Sequence, residues 1–166
     1  MKKEPRSISL ACSIGLGVFF AALLLTFCLL LRQNFLRVTA EDISLWSTGT
    51  EPFVWACQAG VQEASVSYDG YIYLESEPLH QVDNRVALYH KASGELTGLS
   101  TCMIVRDMPP LNQGPINHAY GGFSAFVKTE KLAHPLAEYE ICLLYASNGH
   151  RYIQPTGLNG KGESLC

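Results

Sequence analysis

The residues able to do chemistry are dispersed along this chain. Five histidines, His80, His90, His118, His134 and His150, fall in four expected loops and one expected strand, and none has a Cys, Asp or second His beside it at metal-ligand spacing. Zinc sites draw on such close pairs, so no metal is expected. Nucleophilic catalysis needs a Ser or Cys with a positioned base, and no Gly-x-Ser-x-Gly is present. The run GLNGKG at 157–162 has the composition of a phosphate cradle without its strand-to-helix setting. Glu75 with Glu77, and Glu138 with Glu140, are carboxylate pairs at i, i+2. On a strand such pairs share a solvated face, and no glycosidase dyad follows from them. Neither an enzyme nor a cofactor is therefore expected.

Recognition is the chemistry that remains. Tyr71 and Tyr73 project from the otherwise polar face of an alternating stretch. Exposed aromatics on a β face can stack on sugar rings or anchor a protein partner, unless both faces of the strand are covered. Asp107, Asn117, His118 and Tyr120 belong to the irregular stretch 107–122, DMPPLNQGPINHAYGG, whose three prolines and three glycines exclude regular structure. Loops of this length are uncommon in compact domains and disproportionately functional, the alternative being a packed crossover between sheets. These six residues form the candidate binding set.

Six cysteines divide by place. Cys12 and Cys28 lie in an apolar run, where a thiol is a small apolar side chain. Cys57, Cys102, Cys142 and Cys166 can form two disulfides in an oxidising compartment, with three pairings open.

The element that places all of these is the stretch 8–31, ISLACSIGLGVFFAALLLTFCLLL, 24 successive residues without a charge. As a helix it runs roughly 36 Å, enough to cross a hydrocarbon core of about 30 Å with some tilt. Lys2, Lys3 and Arg6 precede it, whereas Arg32 and Arg37 are soon followed by Glu41 and Asp42. That asymmetry favours a cytoplasmic N-terminus and a domain outside, a single-pass signal-anchor arrangement. Val38-Thr39-Ala40 satisfies the small-residue rule for signal-peptide cleavage after Ala40. The apolar run is too long for an ordinary signal, and two charges separate it from that site, so retention in the membrane is expected.

The rest of the chain is acidic. From residue 41 onward, 14 Asp and Glu face 7 Lys and Arg, a net of −7, which argues against nucleic acid as a partner. The expected organisation is a cytoplasmic tail at 1–7, the helix at 8–31, a stalk at 32–55 and one extracytoplasmic domain at 56–166. Within the domain, 64–75 alternates as one long strand through Asp69-Gly70. RVALYH at 85–90 and TCMIVR at 101–106 are expected to pair, with 96–99 as an extension of the second arm. GFSAFVK at 122–128 makes another strand, and 139–153 makes a hairpin about Asn148-Gly149. The tail 156–166 is expected to be loose unless Cys166 is tied. No soluble helix pattern occurs, and short strands at these intervals predict an all-β fold, an antiparallel β-sandwich of about 6–8 strands.

VSYDGYIYL, GFSAFVKTEKL and YEICLLYASNGHRYIQPTG together resemble the small β-sandwich modules of bacterial, especially Gram-positive, envelope proteins. That resemblance covers about half the domain and implies a fold and an envelope setting, with no catalytic residue carried over. The absence of any Asn-x-Ser/Thr sequon is compatible with a bacterial exterior. The expected function is a non-enzymatic, membrane-tethered binding or assembly module contacting an envelope protein or glycan. Two alternatives are an enzyme or accessory subunit acting on envelope polysaccharide, and a structural subunit packing through its helix, where Gly15, Gly17, Ala21 and Ala22 offer a small-residue face.

Overall fold

The computed structural model describes residues 10–35, 37–48, 52–77, 82–106 and 118–165. Asp107, Asn117 and Cys166 lie outside them. The chain divides into two compact units, Met1–Phe35 and Leu36–Cys166. In the first, helix α1 (Leu10–Phe35) is apolar on every side, with Arg32 in its last turn. Over Cys12–Gln33 it is long and apolar enough to cross a membrane, a property that an anchor and a signal sequence share.

The second unit is mostly β. Its strands are β1 (Thr39–Glu41), β2 (Ser47–Thr48), β3 (Phe53–Gln62), β4 (Ser65–Leu74), β5 (Val82–His90), β6 (Glu95–Gly98), β7 (Ser100–Ile104), β8 (Gly122–Lys128), β9 (Tyr139–Ser147) and β10 (His150–Asn159). They form a six-stranded sheet ordered β1-β6-β5-β9-β10-β2 and a four-stranded sheet ordered β3-β4-β8-β7. All neighbours are antiparallel except β10 with β2.

One hydrophobic core draws on both sheets. Val66, Tyr68, Ile72, Leu74, Phe123, Ala125 and Val127 come from β4 and β8, and Val86, Leu88, Ile141, Leu143 and Tyr145 from β5 and β9. Their spacing of two is the strand period, which turns alternate side chains to one face. Residues 65–74 run through Asp69-Gly70 without a slip in register against both β3 and β8, as the alternation predicts. Gly70 is required by packing: a β-carbon there would meet the Ala56 carbonyl and lie 2.7 Å from the Phe123 ring. The β9–β10 hairpin turns on Asn148 and Gly149 at φ 51° and 83°, the pair of positive values a type I′ turn needs.

Three expectations are corrected. The segment read as a stalk is part of the domain: β1 pairs with β6 and β2 pairs with β10, at opposite edges of the six-stranded sheet. Between them Trp46 is buried against Ala87, Leu96, Cys142, Leu144 and Ile153, the outward side chains of that sheet, and the Arg151 guanidinium lies 5.9 Å from the Trp46 ring. This strap covers an apolar sheet face that would otherwise meet water. Second, β5 pairs with β6 at 95–98, and 100–104 leaves for the other sheet beside β8. The switch falls at Leu99, whose side chain is buried in the core while its N–H donates to the Val86 carbonyl at 2.9 Å. Third, the tail to residue 165 is folded. Asn159 is buried, its side-chain oxygen accepts from the N–H groups of Lys161 and Glu163, and the Tyr68 hydroxyl donates to the Gly160 carbonyl at 2.6 Å.

Candidate functional site

The candidate binding residues are built on the end of β4 and the exit of the long loop. Arg106, where that loop leaves, donates its N–H to the Ala119 carbonyl at 2.8 Å, so the two ends are clamped together. The Asn84 amide donates to the carbonyls of Ile72 and Gly121, at 3.2 and 2.9 Å, and fixes the exit against β4. Both bonds are buried, where a polar group without a partner is costly.

The aromatic residues divide there into covered and open. Tyr73 is 2% exposed and His118 5%, and their rings stack at 4.2 Å and 22°. The expectation of an exposed Tyr73 and a contact-making His118 is thereby corrected: the loop exit folds over the outer face of β4 and hides both. Burial lowers the His118 pKa against the opposing pull of Glu75, so the ring is held toward its neutral form. Tyr71 is half-buried, 6.2 Å from Tyr73. Tyr120 is 58% exposed, Met103 on the edge strand β7 42% and Val105 just beyond that strand 64%. Arg106 reaches Asp69 at 3.8 Å across the same sheet. Tyr71 shares the outer face of that sheet with Ile104, through Gly122, whereas Met103 pairs with the buried Phe123 and is on the opposite face, left open because β7 is an edge strand. Asp107 and Asn117 lie outside the described residues.

The thiols are separated by strand parity. Cys57, Cys102 and Cys142 are free, so the two disulfides open to the four cysteines outside the apolar run are not formed by these three; Cys166 lies outside the described residues. Cys57 on β3 faces the core, Cys142 on β9 faces the Trp46 cluster, and Cys102 lies exposed on the edge strand β7. Burial, aided by Asp69, pushes Cys57 up to about 12, and burial with Glu140 does the same to Cys142. Both stay protonated at neutral pH and are poor nucleophiles.

A second cluster had no signature in the sequence. His90 ends β5, His134 lies in the bend before Pro135, and Glu138 precedes β9. Their ligating atoms lie within 4.8 Å of one another. His90 and His134 stack at 3.8 Å and 7°, with the Tyr139 ring against both at 5.5 and 6.0 Å. The His90 Nδ1 lies 2.8 Å from the Ser93 hydroxyl, and its Nε2 lies 3.4 Å from Glu138 Oε2. His90 is separated by 44 positions from His134, so only the fold joins them; the single local hint is His134 and Glu138, four apart.

No protein family, curated protein or solved structure matches this chain.

Proposed function

We propose that this chain is a membrane-tethered, outward-facing binding or assembly module, and that it contacts an envelope protein or glycan through the β7 edge together with Tyr71 and Tyr120. The observation that carries the reading is the exposure of large apolar and aromatic side chains around that edge strand, on both faces of its sheet. Val105 is 64% exposed, Tyr120 58% and Met103 42%. Partner contacts favour such rigid aromatic and Met anchors.

The anchor is read as retained. A cut after Ala40 would remove two of the three residues of β1 and unpair the β6 edge, which supports retention over cleavage. The two sheets are read as a sandwich. The shared core supports this, as does strand order: β3-β4-β8-β7 and β6-β5-β9-β10 repeat, in chain order, the A-B-E-D and C′-C-F-G arrangement of immunoglobulin-like domains. Tyr139 at the start of β9 adds a tyrosine corner, its hydroxyl accepting from the His134 N–H at 3.3 Å. An envelope setting rests on the sequence resemblance given above.

The test is site-specific photo-crosslinking of the full chain in its native membrane, with the probe placed at Tyr71, Tyr120 or, as a remote control, Lys161. Discrete adducts are expected from Tyr71 and Tyr120 and none from Lys161, and Val105→Ser should cut the Tyr120 yield several-fold. Equal adduct formation at all three positions, or none at any, would sink the reading.

A further inference from the structure

We propose that His90, His134 and Glu138 form a binding site for a first-row transition-metal ion of the zinc class, with Ser93 as its positioning residue. Two imidazoles and one carboxylate are the donor set such ions prefer, whereas Mg²⁺ and Ca²⁺ prefer oxygen alone. Three ligand atoms within 4.8 Å of one another are close enough for side-chain rotation to bring them onto one ion. Three protein ligands leave a fourth position of a tetrahedral ion open to water or to an incoming group.

The two histidines are held differently, and the difference suits loading. His90 is buried at the end of β5, its Nδ1 accepts from the Ser93 N–H at 3.3 Å and lies 2.8 Å from the Ser93 hydroxyl, and its Nε2 is turned toward Glu138. An ion at Nε2 would require the ring proton on Nδ1, where the Ser93 hydroxyl can accept it. Metal-binding histidines use such a partner on the second nitrogen to fix ring orientation. The stack at 3.8 Å and 7° is an arrangement that metal must break, because an ion lies in the plane of each ring it binds and parallel stacked planes do not meet. His134 is the ring placed to turn. It is half-buried in a bend, and its backbone N–H is held by the Tyr139 hydroxyl at 3.3 Å, so the side chain can rotate about a fixed main chain.

The electrostatics favour a cation. Among the described residues the one ion-pair partner of Glu138 is His90, and the nearby Lys91 ammonium is engaged by Glu140 at 3.0 Å.

Isothermal titration of the full chain in lipid nanodiscs with Zn²⁺, and separately with Mg²⁺, tests this. One Zn²⁺ per chain is expected and no Mg²⁺ binding. His134→Ala and Glu138→Gln should each weaken Zn²⁺ binding by at least about 10-fold, and Ser93→Ala by about 10-fold. The exposed His150→Ala should leave it unchanged. Because both principal variants alter half-buried or exposed side chains, circular dichroism should report an intact fold in each. Co²⁺ in place of Zn²⁺ should give the intense visible bands of a four-coordinate ion, lost in His134→Ala. Absence of Zn²⁺ binding, or binding within about threefold of wild type in both His134→Ala and Glu138→Gln, would overturn the proposal and leave an adventitious ion only.

Discussion

His118 and His90 are equally buried, each 5% exposed, and each lies face to face with another ring, but the company differs. His118 covers Tyr73, a phenol flanked by Tyr71; among the described residues no second imidazole stacks on it, and Glu75 acts on it through its charge alone. His90 covers His134 with Glu138 at its far nitrogen and Ser93 at its near one. The first stack has one nitrogen donor and serves to pin the loop exit over β4. The second has three metal-capable side chains and an orienting hydroxyl. Burial of a histidine by itself therefore says little about its work, and the donors within reach of its nitrogens say much more.

The largest expected difference between the two stacks is in stability. Tyr73→Ala removes a buried ring and should cost about 3–5 kcal/mol in denaturant unfolding. His134→Ala removes a half-buried ring from a bend and should cost about 1 kcal/mol or less. Equal losses in the two variants would break the distinction between a prop and a ligand set.

A smaller difference should appear with pH. Burial holds the folded-state pKa of His118 below its ordinary value of about 6.5. The unfolded chain then takes up the proton more readily than the folded one. The stability that rests on neutral His118 is thus fully present above about pH 6.5 and is lost as pH falls through that value toward the lower folded pKa. Unfolding midpoints measured in metal-free buffer at pH 7.5 and 5.5 should fall less in His118→Gln than in the wild type. An unchanged difference between the two pH values would remove His118 from this role.

Sequence made the local features legible and left the distant ones hidden. Asn148-Gly149 carries its own turn chemistry, so the last hairpin needs nothing from the rest of the chain. The run 122–128 alternates cleanly because one of its faces lies in the core. By contrast β1 and β2 are three and two residues long and exist only through pairing with β6 and β10, too short to leave a periodic trace. Trp46, Phe53 and Trp55 are the aromatic residues by which the supposed stalk shows that it has something to bury. The partner of 101–106 could not be read either, since pairing with β8 instead of β5 is decided by where Leu99 enters the core. At the candidate binding face, parity correctly put Tyr71 and Tyr73 on one side of β4. It could not reveal that His118, 45 positions later, covers the second and not the first. The His90–His134–Glu138 set was hidden for the same reason, as its members meet through the return of β9 beside β5.

A single spectrum can compare the stacks directly. With histidine ring nitrogens labelled in the full chain, one equivalent of Zn²⁺ should shift the resonances of His90 and His134 and leave those of His118 and His150 in place. Movement of His118 along with them, or unchanged signals from His90 and His134, would contradict the assignment of the two stacks to different work.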